Sequence, residues 1–130
     1  MSDLARKRPK YLNLMQIRLP LAGFASILHR VSGVGLFLML PPLIWLFDLS
    51  LGSPESFAQF KSVIAHPLVK LILLGLLWSF LHHFCMGIRI LLLDIHVGID
   101  KVSARRSALA VMAVSLLLTA ILGGKLLGLF

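Results

Sequence analysis

Three long stretches of this chain carry no charged side chain. The 17 residues between Arg30 and Asp48, the 18 between Lys70 and Arg89 and the 18 between Arg106 and Lys125 contain no Asp, Glu, Lys or Arg. In hydrocarbon the backbone polar groups must be satisfied within the chain, so such stretches cross as helices. A hydrocarbon core about 30 Å thick needs about 20 helical residues, and each window reaches that length once flanking side chains extend their polar ends to the interface. The expected spans are Ser26 to Leu49, Pro67 to Leu93 and Ser107 to Phe130. A charged fraction of 14%, against about 25% in soluble domains, and a mean hydropathy of +0.95 exclude an ordinary soluble globule. The fold class is therefore all-α: an integral membrane protein with three transmembrane helices in an up-down bundle over residues 26–130, preceded by an N-terminal segment, residues 1–25.

The net charge of +8 sorts by segment and not by surface. Six basic side chains and one acidic one precede residue 31, charges balance between Asp48 and Lys70, and four basic against two acidic side chains lie between Arg89 and Arg106. Lys and Arg concentrate on the cytoplasmic side of membrane spans, which places the N-terminus and the loop around Lys101, Arg105 and Arg106 in the cytoplasm and the C-terminus outside. In a bacterium this is the inner membrane, with a periplasmic C-terminus. A nucleic-acid partner is excluded, because no basic surface is interleaved with aromatics. A cleavable secretory signal also fits poorly, since about thirty residues precede the first apolar run and that run exceeds the usual signal core. Cys85 stands alone in mid-span and forms no internal disulfide. Leu49 to Ser56, with Gly52, Ser53 and Pro54, reads as a turn, and Pro41-Pro42 predicts a bend in the first helix.

With three spans and short loops, function sits inside the bilayer or in a partner. Ionisable side chains at that depth are costly and face a bundle interior or cavity, so each is a candidate site. His82 and His83 stand out. At about 100° per residue, His83, Gly87, Ile90 and Asp94 share one stripe, while His82, Cys85, Arg89 and His96 share another. The two histidines therefore cannot serve one centre. Gly87 lies one turn from His83 on its own face, where a flat macrocycle could lie against the backbone. Without a CxxCH motif such a haem would be non-covalent and b-type. A histidine that only hydrogen-bonds a neighbouring helix explains the same residues.

A second constellation lies at the cytoplasmic mouth of the first helix. Ser26, His29, Arg30 and Gly33 stand at i, i+3, i+4 and i+7, which puts a hydroxyl, an imidazole and a guanidinium on one face. A hydroxyl can donate to a quinone carbonyl and a guanidinium binds carboxylates in pairs, with apolar Ile27 alongside to meet a ring. The plainer reading has Ser26 capping the helix and Arg30 reaching to the interface. If Arg30 and Arg89 both mark that interface, His83 lies about 9 Å deeper at 1.5 Å per residue, roughly the reach from a haem iron to its propionates. The same offset disfavours His29 as a second axial ligand. His66 and His96 lie at the ends of the second span, so a six-coordinate haem requires a ligand from a partner.

These residues match a family. Arg8-Pro9 and Leu12, then Ser26-x-x-His29-Arg30-x-Ser32-Gly33, and finally His83-x-x-x-Gly87-Ile88-Arg89 with Asp94, resemble the cytochrome b subunit of succinate dehydrogenase, a membrane anchor of complex II, over essentially the full length. Ile90 and Leu93 depart from the family pattern, which has His or Phe and then an aromatic or Met at these places. The resemblance implies that His83 is an axial ligand of haem b, with the opposite ligand from a second membrane-anchor subunit. It implies that Ser26, Ile27 and Arg30 line a ubiquinone site and that His29 and Arg30 meet the haem propionates. It also implies an iron-sulfur subunit and a flavoprotein subunit as partners, the flavoprotein oxidising succinate, so that this chain alone catalyses nothing. The competing reading is a haem-free helical anchor or small transporter. The acidic residues Asp3, Asp48, Glu55, Asp94 and Asp100 all lie outside mid-span, which disfavours proton transport.

Overall fold

A computed structural model describes Tyr11 and residues 13–130. Arg8, Pro9 and Leu12 lie outside the described residues. Four helices follow in order: α1 Leu21–Leu51, α2 Pro54–Ala65, α3 Pro67–Asp94 and α4 Lys101–Leu127. Three of them, α1, α3 and α4, are long and apolar enough to cross a membrane. With 31, 28 and 27 residues, they extend about 40 to 46 Å, beyond a core about 30 Å thick.

Helices α1 and α4 start earlier than expected, at Leu21 and Lys101 against Ser26 and Ser107, while α3 starts at Pro67 as expected, and the reason for the difference is physical. A window free of charge measures the hydrocarbon crossing, whereas backbone hydrogen bonds continue the helix into the headgroup layer. Helix α1 begins at Leu21 after Pro20, an extended residue whose side chain caps nothing. Ser26 thus sits inside the helix and is not its cap. Helix α4 begins at Lys101, capped by Asp100, whose carboxylate accepts the Ser103 backbone N–H at 2.9 Å. The Ser103 side chain and then this backbone bond hold the Asp100 carboxyl below its usual range. The cap is therefore fully present above that range and fades only as pH falls through the lowered value. At the far end α4 stops at Leu127, short of Phe130, because Gly128 turns left-handed at φ 73° and Phe130 folds back onto Gly124.

The stretch read as a turn contains a helix of its own. Gly52 ends α1, the Ser53 hydroxyl accepts the Ser56 N–H at 3.2 Å, Pro54 takes the first helical position and Glu55 the first turn. Each of these is a helix-start device. On α2 the Phe57 and Phe60 rings lie 5.8 Å apart and Lys61 Nζ sits 5.2 Å from the Phe57 ring. His66 separates α2 from α3 and caps the latter, its Nδ1 accepting the Leu68 N–H. Pro41 and Pro42 lie within a continuous α1. Beside Pro42, side chains of α1, α2 and α3, among them Leu43, Val63, Val69 and Ile72, line a half-open apolar cavity of about 210 Å³.

Helices α1 and α4 run parallel and α3 runs antiparallel to both. His29 of α1 lies beside His83 of α3, Arg89 of α3 reaches Ser107 of α4, and Leu74 packs on Gly123. The buried core gathers where α1 and α4 begin, around Ala25, Met86, Ala108 and Val111. Ala25 and Ala108 are both wholly buried, which lets α1 and α4 approach closely. Small residues at such contacts matter in a bilayer, where lipid is as apolar as leucine and packing, not dehydration, holds helices together.

Candidate functional site

The two adjacent histidines of α3 diverge, as their positions on the helix predict. His82 is completely buried, with its Nε2 3.3 Å from the Ala25 carbonyl and the Trp78 ring stacked on it at 5.2 Å. Its Nδ1 is buried and has no partner among the described residues. The Nε2 therefore carries the proton and donates it to the carbonyl. No ligand can reach this ring without parting the helices.

His83 is only partly covered. Its Nδ1 donates to the His29 carbonyl at 3.0 Å and lies 3.3 Å from the Ser32 hydroxyl, which itself donates to the same carbonyl at 2.8 Å. Protonation at Nδ1 leaves the lone pair on Nε2. This is the arrangement that orients ligating histidines: the far nitrogen is anchored to a carbonyl and the near one is left to the metal. Gly33 makes the pose possible, since a Cβ there would lie 2.8 Å from His83 Cε1. At Gly87 an added Cβ would meet nothing within 4 Å, so the side of α3 next to His83 is open.

The His29 ring lies against the face of the His83 ring, centroids 4.1 Å apart and planes 14° apart. Stacked rings stand side by side, whereas two axial ligands of one iron point at each other from opposite sides. His29 and His83 in this pose are thus not an axial pair, and the two rings are level, so the expected offset of about 9 Å between Arg30 and His83 does not hold: Arg89 turns into α4 and does not mark the same interface as Arg30. Among the described residues no three His, Cys, Asp or Glu side chains gather to hold a bare metal ion. A lone anchored imidazole suits iron already held by a macrocycle, which requires only axial donors from protein. The residues present fit a b-type haem at His83 and not at His82.

Ser26 is half-buried on α1 and its hydroxyl has no hydrogen-bond partner among the described residues, while Ile27 is half-buried and Arg30 is exposed. The structure thus brings His29, Ser32, Gly33 and His83 into contact and leaves Ser26, Ile27 and Arg30 beside them on α1. His96 is no part of a stripe on α3, because the helix ends at Asp94 and His96 adopts a left-handed φ of 63°. Ile90 packs against the buried core.

Arg89 departs most from its expected place. It does not reach for the interface but is 7% exposed, its Nε donating to Ser107 Oγ at 2.9 Å and an Nη to the Ala104 carbonyl at 3.1 Å. With Met86 and His82 it forms the buried face of α3. Spacing along α3 does put His82, Met86 and Arg89 in one row. Only the placement of α4 shows that the row is covered.

The sequence is similar to those of known proteins. The profile of the succinate dehydrogenase/fumarate reductase transmembrane subunit family matches residues 5–122. The chain is 33% identical over 119 residues to the succinate dehydrogenase cytochrome b556 subunit of Paracoccus denitrificans, covering 91% of this chain and 92% of that protein. It is 33% identical over 118 residues to the subunit of the same name in Coxiella burnetii, covering 90% and 94%. The Rickettsia prowazekii subunit of that name is 31% identical over 120 residues, covering 92% and 94%.

Proposed function

The chain belongs to the succinate dehydrogenase/fumarate reductase transmembrane subunit family, and from that premise we propose that it is the cytochrome b anchor of a succinate:quinone oxidoreductase, with His83 as an axial ligand of haem b. The carrying observation is the His83 imidazole, anchored through Nδ1 to the His29 carbonyl and cleared by Gly33, with its other nitrogen available. A second membrane-anchor subunit would supply a further ligand to the haem iron. The flavoprotein oxidises succinate to fumarate and the iron-sulfur subunit relays the electrons. In this reading the basic ends of α1 and α4 lie in the cytoplasm and the C-terminus in the periplasm.

Haem b supplies a one-electron store within the membrane part of the complex. The chain's own residues do the rest. His83 would hold the group from α3, and His29, whose ring lies 4.1 Å from that of His83, with Arg30 next to it on α1, would offer the donor and cationic groups that propionates require. Ubiquinone takes up two electrons and two protons in becoming the quinol. The Ser26 hydroxyl donates to one quinone carbonyl, Ile27 contacts the ring, and the Arg30 cation favours the negative charge that develops before protons arrive. Donors oriented towards such charge commonly supply a few kcal/mol.

The experiment is a reduced-minus-oxidised spectrum of membranes carrying the assembled complex. A b-type band is expected in the wild type and its loss or shift in His83→Leu. Ser26→Ala should lower quinone reduction about tenfold or more while haem content and succinate oxidation by a soluble acceptor persist. A wild-type complex without the band would leave only the haem-free anchor.

A further inference from the structure

We propose that His82, which carries no role in the reading above, is a positioning residue for the quinone site: through its hydrogen bond to the Ala25 carbonyl it sets where Ser26 stands. The inference rests on that reading of Ser26.

Burial is the first argument. His82 is one of the three largest side chains that are fully buried, beside Met86 and Ser115. An imidazole there leaves Nδ1 unpartnered, and an unsatisfied polar atom costs more than a hydrocarbon of the same shape would. Packing alone does not call for histidine at this place. What the imidazole provides is one donor, aimed at Ala25.

The second argument is geometry. Ala25 and His29 are four residues apart, so their carbonyls stand one above the other on one face of α1. His82 takes the first and His83 the second. The two side chains leave α3 about 100° apart, and a pair of diverging bonds fixes both the height and the rotation of one helix against the other. A single bond would fix only the height. The Trp78 ring, stacked on His82, holds the imidazole in its pose.

The third argument is the path to Ser26. Ala25 is wholly buried and packs in the core with Ala108. Its backbone is held between the donor on α3 and Ala108 of α4. Any change in the His82 bond therefore reaches the next residue, Ser26, as a displacement of its hydroxyl. Displacements of about 1 Å at a reacting group can cost as much as a hundredfold in rate.

The test uses the assembled complex in membranes and two variants. His82→Phe keeps a ring against Trp78 and removes the donor, while His82→Gln keeps an N–H. Both should retain the b-type band and the succinate rate with a soluble acceptor. The quinone KM should rise about tenfold in His82→Phe and recover to within about threefold of wild type in His82→Gln. An unchanged KM in His82→Phe overturns the proposal, as does a His82→Gln complex as impaired as His82→Phe, since then the donor is not what matters. Should His82→Phe fail to assemble, 15N NMR of the histidine-labelled wild-type complex decides, the signal being assigned by its loss in His82→Gln. A neutral ring protonated on Nε2 supports the bond, and a ring protonated on Nδ1 or on both nitrogens overturns it. Failure of the underlying reading shows separately, as unchanged quinone turnover in Ser26→Ala with the His82 signal intact.

Discussion

Where α1 and α4 begin, Ser32, His82, His83 and Arg89 make five hydrogen bonds from one helix to another. At the opposite end, where α1 gives way to α2 and α3, the described residues make none, and the helices meet through apolar side chains around the cavity beside Pro42. Apolar contacts in lipid are tolerant of sliding and rotation, because the alternative partner is an equally apolar acyl chain. Hydrogen bonds are not, since they have direction. One half of the bundle is thus specified in register and rotation, and that half carries the candidate site.

Removing Arg89 should break this contrast most severely. Arg89→Ala leaves the Ser107 hydroxyl and the Ala104 carbonyl without their long partner and opens space between α3 and α4. Interhelical hydrogen bonds in membranes average about 0.6 kcal/mol, and large-to-small changes at buried sites add about 2 kcal/mol or more. A loss of about 2 to 3 kcal/mol in the thermal or denaturant stability of the complex is expected. Arg89→Lys should recover less than half of it, because an ammonium cannot reproduce the planar fork. Unchanged stability in Arg89→Ala would show that the two ends are held alike.

The two glycines around His83 sharpen the comparison within the specified end. Gly33→Ala puts a methyl at 2.8 Å from a ring tied down by hydrogen bonds, an overpacking that costs about 1 to 3 kcal/mol. Gly87→Ala meets no atom of this chain and should gain about 0.5 to 1 kcal/mol of helix stability. Both should lower haem content, Gly33→Ala by displacing His83 and Gly87→Ala by intruding on a macrocycle against the backbone. Haem content per complex, measured as pyridine haemochrome, checks both. Full haem in Gly87→Ala would remove Gly87 from the site.

The smallest effect is expected at the apolar end. Val69→Ile adds one methylene to the side chains lining the cavity of about 210 Å³, a gain of about 0.5 kcal/mol or slightly more. The haem band and the quinone KM should remain as in the wild type. A change in either would show that the ends are coupled through α3 and that the apolar contacts transmit position after all.

Much of this molecule was legible before its fold was known, for identifiable reasons. The uncharged windows locate the three crossings because a bilayer rejects charge whatever the tertiary arrangement. The divergence of His82 and His83 follows from helix geometry alone, which needs only that α3 be a helix. Helix α2 is hidden in the sequence although Ser53, Pro54 and Glu55 signal its start, since Gly52 and the neighbouring Pro also signal a turn. Ser26 was open to reading as a cap because the charge at Arg30 hides how far the helix extends beyond the hydrocarbon.

What the sequence determined by itself is therefore the set of local and solvent-driven facts: the crossings, the helical stripes and the motif residues that mark the family. Only the tertiary structure decided which stripe is covered. His82 and Arg89 are buried because α1 and α4 close over one face of α3, and His83 keeps a free nitrogen because Gly33 of α1 yields room to its ring. Such outcomes depend on where a second helix stands, and no spacing along one helix encodes the distance to its neighbour.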